Sequence, residues 1–233
     1  MKWAGALPLL GLACAPAAPE APSFRSTPAA DYVPEALPGW DLRVAKDLLN
    51  AAPGRRAQDL LQEKLAAIEA VVPEPALSAL RGVPIWISAE DTPCPAICYH
   101  LSSDWLRANG YDPAKAGGVE IANAGRFVEW APTQPWFVLH ELAHAYHQQV
   151  RGLGDRAILE SFQSAKASGL LDQVPYIKGG QRRHYGLTDE REFFAEMSES
   201  FFGENDFFPF DRPQLHQLLP GVEAVLAEAW RAP

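Results

Sequence analysis

The sequence predicts an α+β fold in which a small mixed or antiparallel sheet packs on one central helix and the C-terminal half is mostly helical. Three observations support this prediction. Short apolar segments of strand length lie between residues 40 and 130. A long, largely apolar segment with helical periodicity runs from about 133 to 151. Beyond it, the apolar residues keep helical spacing almost to the C-terminus.

Composition and charge are those of an ordinary globular protein. The chain has 233 residues, of which 48% are hydrophobic and 21% are charged, and this is enough for a hydrophobic core. The formal net charge is -9 and no basic stripe occurs, so we expect no nucleic-acid partner. No apolar run reaches the roughly 20 residues needed to cross a bilayer.

Residues 1–14 predict an export signal, because one lysine precedes a short apolar stretch that small residues follow. Two interpretations stay open: an ordinary secretory signal, or a lipoprotein signal with lipidation at Cys14. Both predict a periplasmic, cell-surface or extracellular protein, which contacts a membrane only through a lipid anchor. The proline- and alanine-rich residues 15–39 predict a linker, and residues 40–233 the folded domain.

Several segments of the domain have the periodicity of regular structure. Apolar patterns predict strands at 40–44, 83–87, 119–123 and 126–130, with the last two paired as a hairpin. Helices are predicted at 54–72, at 102–109, from about 133 to 151, from a cap at Thr188, from about Asp211, and at 222–230. The strand at 119–123, or its partner, would offer an edge to an extended peptide.

Cys94 and Cys98 are predicted to form a disulfide that closes a short loop, as is common in exported proteins. A metal-binding pair is the alternative interpretation. The sequence contains no second cysteine pair to complete such a site.

The central helix contains a candidate metal site. His140 and His144 lie four residues apart, so both imidazoles project from one helix face and can bind one Zn2+. Glu141 can reach a water at that site as a general base. The surrounding residues are apolar, which predicts a buried helix in which unpaired polar groups would be costly.

A catalytic zinc site needs a third protein ligand. His147 lies on the same face, but seven residues of helix span about 10 Å, too far for one tetrahedral ion to bind all three histidines. We therefore predict that His147 supports the ligands or has a structural role, rather than binding the metal. Val150 occupies the position of the third histidine in the three-histidine motif, which excludes that class.

A later helix supplies the better third ligand. Glu192, Glu196 and Glu199 share one face, between phenylalanines. A solvated acidic face is the alternative, but a carboxylate among aromatic rings needs a cation or a donor. Glu192 is therefore the predicted third ligand, and Glu196 the predicted acceptor of an N–H from a ligand histidine.

The segment from His140 to His144, together with the segment from Tyr185 to Glu196, resembles the gluzincin metallopeptidases. It is most similar to the catalytic domain of the anthrax lethal factor family. The resemblance implies a zincin-like fold and one zinc ion held by His140, His144 and Glu192. It also implies Glu141 as the base, Tyr185 as the oxyanion stabiliser, and a peptide or protein substrate. The toxin's large accessory domains are not expected here, so its substrates are not implied.

Two classes of function follow from these residues. The first is an exported zinc metalloendopeptidase, with an amidase of cell-wall peptides as a narrower form. The second is a catalytically silent, peptidase-like domain that binds zinc or a partner at the cell surface. Glu141 favours the enzyme, since a silent scaffold needs no base there. The aromatic segment 203–210 is predicted to pack the C-terminal helices rather than to line a substrate pocket.

Overall fold

The computed structural model describes residues 26–91 and 94–231. The predicted signal at 1–14, lipidation at Cys14 and the first part of the predicted linker, 15–25, lie outside these residues. Among the described residues, no helix is both long enough and apolar enough to cross a membrane.

A five-stranded mixed sheet forms from the N-terminal half of the chain. Its strands are β1 (Tyr32–Glu35), β2 (Leu42–Ala45), β3 (Ile85–Ile87), β4 (Ile97–Tyr99) and β5 (Val119–Ile121), in the order β1-β2-β3-β5-β4. The three central strands are parallel, and β1 and β4 add antiparallel edges. The predicted α+β fold class with a small mixed sheet is confirmed.

The linker prediction is wrong for residues 26–39. Tyr32 to Glu35 pair with β2, and the preceding segment is tied to the domain because the backbone N–H and the hydroxyl of Thr27 both donate to Asp91 at 2.7 Å. Proline-rich composition concealed this strand. Pro34 is tolerated in β1 because an edge strand has one side on which a missing N–H costs no ladder hydrogen bond.

The predicted strand at 126–130 is also wrong. These residues belong to helix α4 (Ala124–Trp130), where the Asn123 side chain accepts from the Arg126 N–H at 2.9 Å as an N-cap. Phe127 is fully buried and stacks on Phe137, with 4.9 Å between ring centroids. β4 is therefore the neighbour of β5, and β5 lies inside the sheet, where it has no edge to offer a peptide.

Helices cover the sheet and form the C-terminal half. They are α1 (Ala52–Val71), α2 (Ala76–Arg81), α3 (Ser103–Ala108), α4, α5 (Phe137–Tyr146), α6 (Arg156–Ser168), α7 (Glu190–Phe202), α8 (Arg212–Leu218) and α9 (Pro220–Ala229). A two-stranded hairpin, β6 (Val174–Pro175) and β7 (Gln181–Arg182), precedes α7. The predicted helices all form, within a few residues at their ends, but the cap of α7 is Asp189 rather than Thr188.

The central helix α5 packs between the sheet side of the molecule and the C-terminal helices, with α7 as its main partner. Trp230, just after α9, fixes this arrangement: its ring stacks on Tyr146 of α5 at 4.3 Å and on Phe194 of α7 at 5.6 Å. Its indole N–H donates to Ser198 of α7 at 3.0 Å. Trp230 therefore fixes the position of α5 relative to α7.

Candidate metal centre

Helix α5 presents its polar residues on one side only. Val138, Leu139, Leu142 and Ala143 are buried in the core, so the helix cannot rotate without exposing them. His140, Glu141 and His144 line a cavity of about 530 Å³ between α5, α7 and β4. The predicted helix and the shared face of these residues are confirmed.

Three side chains converge at the centre of this cavity and could hold a metal ion: His140, His144 and Glu192. Glu192 Oε2 lies 3.1 Å from His140 Nε2 and 3.5 Å from His144 Nε2. Ligand bonds of about 2.0–2.1 Å in a tetrahedron place the ligand atoms about 3.3–3.4 Å apart. The separations of the Glu192 oxygen from the two imidazole nitrogens therefore fit a zinc ion.

The hydrogen bonding of His140 also suits a metal ligand. Its Nδ1 lies 2.7 Å from Glu199 Oε1 and its Nε2 lies 3.1 Å from Glu192 Oε2, so with the Nδ1 proton held by Glu199, Nε2 is the nitrogen that would bind the metal. The prediction gave this acceptor role to Glu196, whose Oε1 is 3.6 Å from the same nitrogen. Glu199 is therefore the nearer acceptor, and Glu196 is itself held by the Asn205 amide at 3.1 Å. Helical spacing had placed Glu199 on the right face, but could not tell which turn meets His140.

The electrostatics of the cluster favour a bound cation. Burial raises the pKa of Glu192, but hydrogen bonds to His140 and His144 outweigh it and hold the pKa well below its usual range. Burial lowers the pKa of His140, but hydrogen bonds to Glu192 and Glu199 raise it well above its usual value. Glu192 and Glu199 therefore stabilise a positive charge at this site.

Glu141 lies on the β4 side of the cavity. Its Oε2 accepts a hydrogen bond of 2.7 Å from the backbone N–H of Tyr99, the last residue of β4. Burial raises the pKa of this carboxyl group. A carboxyl with a raised pKa can both accept a proton and return it, which is what a general base and acid requires.

Tyr185 lies at the mouth of the same cavity, with 48% of its surface exposed. It begins a short 3-10 turn that His184 caps, because His184 Nδ1 accepts from the Gly186 N–H at 3.0 Å. Burial and the nearby Glu192 charge raise the pKa of its hydroxyl, which therefore remains a proton donor at neutral pH. Tyr185 therefore lines the same cavity as the three candidate metal ligands.

His147 does not support the metal ligands; of its two predicted roles, the structural one is correct. Its backbone N–H bonds to the Ala143 carbonyl, so α-helical spacing extends to His147, and a π-helical segment, His147–Arg151, begins there. The ring is 1% exposed and packs against Phe194, and neither nitrogen has a hydrogen-bond partner among the described residues. Burial, and then the charge of His144, lower its pKa to about 4. His147 is a neutral core residue.

Several residues that line the cavity were not predicted from the sequence, among them Asp206 and Phe207. Asp206 follows α7 and is buried beside Glu199, and burial followed by the Glu199 charge raises its pKa to about 7. Phe207 covers the same side. The segment 203–210 therefore lines the cavity as well as packing the helices. Its polar–aromatic pattern was the only sequence signal, and it does not distinguish the two roles.

The predicted disulfide is not formed in the structure, where Cys94 and Cys98 are both free thiols. A hydrogen bond with Cys94 and then burial raise the pKa of Cys98 well above its usual value. Each residue is also held independently. The Cys94 N–H donates to the Tyr111 hydroxyl at 2.9 Å, and Cys98 pairs with Glu120 in the sheet.

Comparison with known proteins adds no further assignment. No protein-family model, curated protein or solved structure matches the chain.

Proposed function

We propose that this chain is an exported zinc-dependent metalloendopeptidase of the gluzincin type, with a zincin-like fold similar to the catalytic domain of the lethal factor family. One observation carries the proposal: ligand atoms of His140, His144 and Glu192 lie within 4.8 Å of one another in a cavity that also contains Glu141. Two imidazoles and a carboxylate are the ligand set of several zinc peptidases. The cofactor is one zinc ion per chain.

The chain's own residues divide the chemistry between them. Zinc, when bound, supplies a Lewis acid that polarises the scissile carbonyl and acidifies a water. Glu141 accepts the proton of the attacking water and passes it to the leaving nitrogen. The Tyr185 hydroxyl donates a hydrogen bond to the carbonyl oxygen as it becomes negative. Glu199 keeps the His140 ring in the tautomer that leaves Nε2 free to bind.

The shape of the cavity supports an extended peptide as substrate. β4 is one of the two edge strands of the sheet, and its residues lie along the cavity wall beside Glu141. A peptide chain can add to such an edge through backbone hydrogen bonds, which are independent of its sequence. A second groove, lined by Ser102, Gly117 and Gln148, adjoins the cavity and shares Tyr99 and Leu101 with it. Together they give room for several substrate residues.

The metal site is tested first, by elemental analysis of gently purified protein. About one zinc per chain is expected, and Glu192→Ala should lose it because a single remaining pair of imidazoles binds weakly. Glu190→Ala is the matched control, since this acid lies at the start of the same helix and outside the cavity. A wild-type protein without zinc, or a Glu192→Ala variant that retains it, would contradict the proposal.

Catalysis is tested with a peptide library. The wild-type protein should cleave some of its members, and Glu141→Gln should retain zinc but lose cleavage, because the amide cannot accept the proton. A zinc-loaded wild-type protein that cleaves no peptide would favour the alternative, a catalytically silent binding domain. Cleavage restricted to cell-wall peptides would assign the narrower amidase activity.

A further inference from the structure

The hydrogen bond from Tyr99 to Glu141 joins the edge of the sheet to the candidate catalytic helix. The two residues are 42 positions apart in the chain, and their N···O distance is 2.7 Å. A hydrogen bond to an ionised carboxylate is about twice as strong as one between neutral groups. Among the described residues, this N–H is the one hydrogen-bond donor to the Glu141 carboxylate.

The register of the sheet explains why this N–H points into the cavity. His100 donates to the Gly118 carbonyl at 2.9 Å and accepts from the Gly117 N–H at 2.7 Å, so its backbone faces β5. Backbone groups of successive residues in a strand point to opposite sides, so the N–H and C=O of Tyr99 face away from β5. They belong to the free edge along which a substrate would pair.

The position of this N–H is held from both sides. β4 is fixed to β5 by the hydrogen bonds between the two strands. The Tyr99 hydroxyl accepts from the Gln149 amide at 3.1 Å and donates to the Gln148 side-chain oxygen, and both glutamines lie in the π-helical segment that follows α5. The strand edge is therefore attached to the same continuous helix that carries Glu141. Relative movement of Tyr99 and Glu141 would break several contacts together.

We propose that the Tyr99 backbone N–H is a positioning group for Glu141, which rests on the peptidase function proposed above. It holds one carboxylate oxygen, Oε2, so that the side chain cannot rotate and the other oxygen stays directed at the water. It also withdraws one donor from the free edge of β4. A substrate backbone opposite Tyr99 then pairs only with its carbonyl, whereas Ile97 offers both an N–H and a carbonyl.

Proline at position 99 tests the role directly. Tyr99→Pro removes the N–H, and no ladder hydrogen bond is lost because this N–H faces away from β5. Tyr99→Ala is the matched control, since it loses the same phenol ring but keeps the N–H. Relative to the alanine variant, the proline variant should have a kcat lower by at least about tenfold. Its KM and its zinc content should be unchanged within about twofold. Equal kcat values in the two variants would overturn the proposal.

Amide hydrogen exchange provides a test that needs neither activity nor a proline variant. In the zinc-loaded wild-type protein, the Tyr99 amide should exchange about a hundredfold more slowly than in Glu141→Ala, although it lies on a free edge. Equal exchange in the two proteins would also overturn the proposal. Zinc content and library cleavage test the peptidase function separately. A failure of the proposed peptidase function can therefore be distinguished from a failure of the proposed role of the Tyr99 N–H.

Discussion

Replacing His147 with leucine should make the protein more resistant to acid. The ring is 1% exposed and has no hydrogen-bond partner among the described residues, and its pKa is lowered to about 4. Between pH 6.5 and about 4, the unfolded chain binds a proton at this position that the folded chain does not bind. The free energy of unfolding of the wild-type protein therefore falls as the pH is lowered through this range.

The two pKa values determine the size of this effect. With 6.5 in the unfolded chain and about 4 in the folded chain, proton linkage lowers the free energy of unfolding by about 2 kcal/mol from pH 7 to pH 5. Leucine has a similar volume and does not titrate, so the variant should escape this loss. It also removes two buried nitrogens without partners, and should gain about 1 kcal/mol at pH 7.

Urea unfolding of both proteins at pH 7 and at pH 5, with a chelator present, measures the effect. The chelator removes the pH dependence of metal binding from the comparison. His216→Leu is the control, since that side chain is 71% exposed and its replacement should change little at either pH. If the stability difference between wild type and His147→Leu is the same at both pH values, His147 titrates normally and our assignment of a buried neutral ring is refuted.

Three further predictions concern other parts of the molecule. Lys115→Met should lower the free energy of unfolding, measured by urea unfolding, by about 3–5 kcal/mol, because the buried carboxylates of Glu120 and Asp91 would lose their cation. An unchanged free energy of unfolding would show that these carboxyls are readily protonated. Trp230→Ala should cost about 3–5 kcal/mol in the same assay through the cavity left between α5 and α7, and a loss below about 1 kcal/mol would contradict this packing role. Tyr185→Phe should lower kcat about a hundredfold on a cleaved peptide at unchanged zinc content, and an unchanged kcat would exclude the hydroxyl from the reaction.

Periodicity was reliable where one face of an element is buried. α5 and α7 were both predictable, because burial requires apolar residues at helical spacing and polar residues among them require partners. Glu192 could be predicted as the third ligand beside His140 and His144, because a carboxylate among aromatic rings needs a partner and a catalytic zinc needs three protein ligands. The motif on α5 is local, since its two histidines meet through the geometry of one helix.

Three errors arose where a contact with another element outweighed a local pattern. Residues 32–35 lie in a proline-rich stretch, but form a strand because β2 offers an unpaired edge. Residues 126–130 are mostly apolar and of strand length, but form a helix because Asn123 caps it and Phe127 packs on Phe137. The support of the metal ligands predicted for His147 fails because its ring packs on Phe194 of α7, a contact that spacing along α5 does not show.

The sequence by itself determined the α+β class, the two helices of the metal centre, and the residue types that could bind the ion, because each depends on spacing within one segment. Only the tertiary structure decided which carboxylate meets His140 Nδ1, and that the edge strand of the sheet donates to Glu141. These contacts join residues 59 and 42 positions apart. Their distances depend on how whole elements pack, and no pattern within a single segment encodes that packing.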